Sequence, residues 1–111
     1  MKKTNASREH DDFIVEQLKN DSRFLEAYLN EALSDEAEDP RVVLDMIRKV
    51  AEARGGVRRL AQVADLNRQN LYKALSAEKG NPEFFTINKI VNALGFHFKL
   101  VKNKRRLAMA K

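Results

Sequence analysis

Arg68, Gln69, Asn70 and Lys73 are the residues whose types and spacing carry the clearest chemistry in this 111-residue chain. Arginine pairs bidentately with the outer edge of guanine, and glutamine or asparagine with that of adenine. The tripeptide Arg68-Gln69-Asn70 therefore has the groups needed to read base edges in a major groove. Lys73, one turn further on, would add a base or phosphate contact. Arg58 and Arg59, near the start of the preceding helical stretch, are placed to meet a sugar-phosphate backbone, with Asn67 beside them at the turn. Taken alone, a polar first helical turn is ordinary. Its meaning depends on the elements that hold it.

Residues 57–76, VRRLAQVADLNRQNLYKALS, read as two short helices joined by a tight turn at Asp65-Leu66-Asn67. Small Ala61 sits where the helices must cross closely, Leu66 and Leu71 plug the gap between them, and Leu75 points inward with Leu71. That is the helix-turn-helix pattern, with Asn67 as the cap of the second helix. A helix from Pro40 to about Arg54 precedes it, announced by Asp39-Pro40 and stopped by Gly55-Gly56. Its inward residues are Val43, Leu44, Ile47, Val50 and Ala51. After a loop over 77–82, another helix ends near Leu94 at Gly95, with Ile87, Ile90 and Val91 inward.

Two further helices are expected at the N-terminal side. One spans about 11–19, with Ile14, Val15 and Leu18 apolar. The other spans about 22–33, with Phe24, Leu25, Tyr28, Leu29, Ala32 and Leu33 on one face. Residues 34–39 form an acidic linker. Residues 96–101, FHFKLV, alternate at period two, the signature of a strand. The expected fold is mainly α: a helix-turn-helix bundle over 40–101 closing on a short β-strand, an acidic helical arm over 1–39, and a basic tail over 102–111.

Charge is split along the chain. Residues 1–40 carry five Lys+Arg against eleven Asp+Glu, a net −6, while residues 41–111 carry sixteen against five, a net +11. A basic half suits nucleic acid and an acidic half suits a basic partner, although two solvated surfaces would also look like this. There is no cysteine, so thiolate chemistry and disulfides are excluded. His10 and His97 have no second ligand at metal-binding spacing, and the carboxylates at 35–39 lack the glycine of a calcium loop. No glycine pattern cradles phosphate and no serine sits in a nucleophile elbow. No metal, cofactor or catalysis is expected. The longest apolar run is four residues, and no apolar stretch follows Lys2 and Lys3, so the expectation is a cytoplasmic protein without membrane or leader segment.

From Pro40 to Leu100 the chain resembles the Xre-type, lambda-repressor-like helix-turn-helix domains. More narrowly, it resembles the probable addiction-module antidote proteins, the HigA-like antitoxins of type II toxin-antitoxin pairs. The residues that carry this are Ala53-Arg54-Gly55-Gly56, Leu60-Ala61, Asn67-Arg68, the run LYKALS over 71–76, Gly80-Asn81-Pro82, Phe84, Thr86 and Ala93-Leu94-Gly95. The stretch YLNEAL over 28–33 matches the family's arm. Asp65 departs from the glycine common at its position, and Asp tolerates a left-handed backbone.

The resemblance implies a dimeric repressor of its own operator that neutralises a small basic RelE/ParE-like toxin. The acidic arm suits such a partner, with Tyr28 and Leu29 as apolar anchors and Glu26 and Glu31 as steering charges. The same apolar residues would equally serve to pack the arm on the core. A lone strand cannot satisfy its own backbone groups, so residues 96–101 are expected to pair with a second copy, making Phe96, Phe98 and Leu100 the dimerisation residues. The competing function is a stand-alone repressor or protein-interaction module with no toxin.

Overall fold

The structure is a computed structural model that describes residues 5–34, 37, 39–76 and 80–102. Six helices follow one another: α1 (Asn5–Asn20), α2 (Ser22–Ala32), α3 (Pro40–Ala53), α4 (Val57–Val63), α5 (Arg68–Ala74) and α6 (Phe84–Ala93). The expected helices are all present, α1 starting earlier than its apolar residues indicated. None of the described helices is long and apolar enough to cross a membrane.

Local chemistry sets most boundaries. Asp21 is the only residue between α1 and α2, and its Oδ1 accepts from the amides of Arg23 and Phe24 at 3.0 and 3.1 Å, capping α2. Asp39 does the same for α3 through the amide of Arg41 at 2.9 Å, with Pro40 in the first turn. That amide, then the Arg41 side chain, hold the Asp39 carboxyl below its usual pKa.

Three helices end in one motif. The amides of Gly56, Leu66 and Phe96 reach back to the carbonyls of Ala51, Ala61 and Val91 at 2.8, 2.8 and 3.0 Å, closing α3, α4 and α6. The left-handed residue that makes each reversal possible is Gly55, Asp65 and Gly95 in turn.

α3 is the central element. One side of it, Leu44, Ile47 and Ala51, packs with Leu60, Ala61, Leu71, Leu75 and Ile90 of the following helices. Val50 and Ala53 instead pack with Val15, Leu18, Leu25 and Leu29 of α1 and α2. Leu94 joins both clusters. Leu18 and Leu25 are almost wholly buried, and each such burial contributes about 1.5–3 kcal/mol. The first two helices are therefore packed against α3 by a core of their own.

The expected strand over residues 96–101 does not form among the described residues, where no strand occurs. Beyond Gly95 the chain lies beside α2 and the end of α6. Those helices already pair their backbone groups internally, so they offer no ladder for a strand to join. Only Phe96 turns inward, against the α1/α2 cluster.

Candidate functional site

The two short helices α4 and α5 meet across the turn 64–67. The Asn67 side chain accepts from the Asn70 amide at 2.9 Å, which fixes the start of α5. Leu71 and Leu75 are both 1% exposed in the core. This orientation leaves the four sequence-selected side chains, Arg68, Gln69, Asn70 and Lys73, all exposed to solvent. Asn67 is exposed too, although its side-chain oxygen is engaged in the cap. Arg58 and Arg59 are exposed on α4.

Tyr72 was not singled out from sequence. It is 55% exposed on α5 between Lys73 and Leu71, and the inward placement of Leu71 and Leu75 was the available signal. Beside this surface, Asn70, Lys73 and Ser76 share a groove with Asn81, Pro82 and Thr86 at the start of α6. Gly80 directly precedes Asn81 in the segment that leads to α6. A β-carbon there would stand 2.6 Å from the Ala74 carbonyl and 2.7 Å from the Leu44 side chain, so this turn accepts glycine alone without rearrangement.

The four residues assigned to a protein partner do not form one surface. Glu26 and Glu31 are exposed. Leu29 is only 6% exposed, inside the α1/α2/α3 cluster. Tyr28 is half-buried, its ring 5.8 Å from that of Phe24. Burial, reinforced by the nearby carboxylates of Asp45 and Asp11, pushes its phenol pKa up to about 12. α2 instead forms one wall of an open groove of about 930 Å³, in which Glu26 and Leu33 face Phe96, Phe98 and Lys99.

Of the three residues expected to join two copies, Phe96 is turned inward while Phe98 and Leu100 face out, Leu100 being 99% exposed. The Phe98 ring lies 5.3 Å from that of Phe84. Phe84, Phe85 and Val101 are exposed as well. His97 is exposed, and no group of three or more potential metal ligands occurs among the described residues.

Fold and surface together define a small, mainly helical protein in which a capped short helix presents basic and amide side chains outward. Its family follows from comparison. Residues 9–102 match the family described as "probable addiction module antidote protein", and the chain belongs to that family. It is also 32% identical over 93 residues to an uncharacterized protein of Haemophilus influenzae (strain KW20 / Rd), covering 84% of this chain and 92% of that one. No solved structure matches the chain.

Proposed function

We propose that this chain is the antitoxin of a type II toxin-antitoxin pair, acting in the cytoplasm as a homodimeric Xre-type, HigA-like repressor of its own operon. It neutralises a small basic RelE/ParE-like toxin and works by binding, without catalysis. Family membership supports the antidote role and, with it, a cognate toxin.

The observation that carries the DNA-binding half is the α5 arrangement: Leu71 and Leu75 buried behind it, Arg68, Gln69, Asn70 and Lys73 exposed in front. Arg68, Gln69 and Asn70 read bases, with Lys73 beside them, while Arg58, Arg59 and Asn67 hold the phosphates. The exposed Phe98 and Leu100 support pairing between copies through residues 96–101. Pairing spreads two reading helices to successive grooves about 34–36 Å apart. The exposed Glu26 and Glu31 support a cationic partner at the acidic arm.

The test compares binding of the full chain to the DNA just upstream of its own coding sequence and to a shuffled version of it. Gln69→Ala with Asn70→Ala reduces the discrimination by about 1–3 kcal/mol per lost bidentate contact. Unchanged discrimination removes α5 as the reader. Copurification with the small basic protein encoded beside it tests the toxin. Phe98→Pro gives a monomer in light scattering, and a variant that stays dimeric refutes the pairing.

A further inference from the structure

A continuous chain of charged groups runs from α1 to the end of α5. Asp11 on α1 lies 3.4 Å from Lys49 Nζ on α3. Lys49 also pairs with Asp45, one turn earlier. Asp45 Oδ1 holds Arg48 Nη2 at 3.3 Å, and Arg48 Nη1 donates to the Leu75 carbonyl at 2.5 Å. Leu75 is the residue that closes α5. Its carbonyl is among those a helix end leaves without an intrahelical donor, and a guanidinium there meets the negative end of the helix.

This chain differs from the solvated ion pairs elsewhere on the molecule. The Lys49 side chain is only 13% exposed, and it is satisfied by carboxylates from two helices. A cation so placed is oriented by its partners more than by water. α5, by contrast, is seven residues long, and Leu71 and Leu75 are its two fully buried apolar anchors. Apolar packing sets depth but is non-directional, so it leaves rotation and axial slide loosely specified. The bond from Arg48 is directional, and base-edge contacts need side chains held within about 0.5 Å of the productive geometry.

We infer that Arg48 is a positioning residue for the DNA-reading helix, held in its setting from α1 through Asp11, Lys49 and Asp45. The N-terminal helices are thereby part of the DNA-reading apparatus, an assignment that rests on the base-reading role of α5 given above.

The sign of one substitution separates this role from bulk electrostatics. Asp45→Asn removes a negative charge, which by charge alone tightens binding to every DNA. A positioning role requires the opposite for the specific site. The affinity of the full chain for the DNA upstream of its own coding sequence falls about three- to tenfold, a loss of the size expected for disturbing one partly buried coupled contact. Affinity for shuffled DNA holds or rises slightly, and the salt dependence is unchanged. Asp11→Asn produces the same loss in weaker form and carries the test should Asp45→Asn fail to fold. Arg48→Lys, which keeps a donor for the Leu75 carbonyl, retains more specific affinity than Arg48→Met. In the free protein, amide hydrogen exchange over residues 72–76 speeds up in Asp45→Asn while α6 exchanges as before.

Specific affinity equal to or above wild type in Asp45→Asn overturns the inference, as does an equal loss on specific and shuffled DNA. A wild-type protein that fails to distinguish the two DNAs, with the 72–76 amides still responding to Asp45→Asn, shows that the base-reading assignment has failed and removes the inference with it.

Discussion

The Leu66 amide donates to the Ala61 carbonyl at 2.8 Å, and that bond closes α4 just before α5 begins. It requires a residue between Ala61 and Leu66 to turn left-handed, and that residue is Asp65, at φ 56°. Among the described residues it is the one non-glycine with positive φ. A left-handed L-residue costs about 1–2 kcal/mol, part of which glycine returns as unfolded-state entropy. Asp65→Gly should therefore stabilise the protein by about 0.5–1 kcal/mol in urea denaturation. Asp65→Val should destabilise it, because a β-branched side chain is poorly tolerated at positive φ. Equal stability of the two variants would mean that the turn relaxes out of this conformation.

Gly80 makes the opposite prediction. A β-carbon meets the Ala74 carbonyl and the Leu44 side chain at under 3 Å, and the carbonyl is backbone that cannot swing aside. Gly80→Ala should destabilise by about 1–3 kcal/mol, the usual cost of overpacking. The loss should appear as a lower urea midpoint with an unchanged slope.

Tyr28 predicts an alkaline limit. Its phenol titrates near 12 in the folded chain, against an ordinary value of 10, so the unfolded chain gives up this proton first as pH rises. The stability contributed by the protonated phenol is complete below pH 10 and is lost as pH climbs from 10 towards 12. In Tyr72→Phe, which leaves Tyr28 as the sole tyrosine, tyrosinate absorbance should develop close to pH 12. A midpoint near 10 would place the ring in open solvent. Tyr28→Phe should remove this part of the fall in stability.

Leu25 tests whether the first two helices fold with the rest. It packs against Val50 and Ala53 of α3, so Leu25→Ala should cost about 2–5 kcal/mol. The loss should appear in one transition shared by all helices, since α3 carries both apolar clusters. Two transitions, with only α1 and α2 melting early in amide exchange, would make the N-terminal helices a separate unit.

Much of this protein was legible in its sequence because the deciding signals are local. The 3.6-residue apolar repeats marked the helices, Asp21, Asp39 and Asn67 cap through atoms two or three residues away, and Gly55 and Gly95 end helices by their own backbone freedom. The outward face of α5 followed from the inward pair Leu71 and Leu75 by helical geometry alone.

What distance in the chain conceals, only the tertiary structure decided. An apolar stripe says that a face will be buried, not against what, and Tyr28 and Leu29 therefore suited a partner or a core equally well. α3 decided it for Leu29 by offering Val50 and Ala53 to α1 and α2. Alternation over 96–101 likewise describes a side-chain pattern, whereas a strand exists only where a second backbone lies within hydrogen-bonding reach, and here the neighbours are helices. The link from Asp11 to the Leu75 carbonyl joins groups 64 residues apart, through partners whose closeness no local pattern encodes. Packing brings them together, because interatomic distances depend on how helices cross and not on the order in which their residues occur.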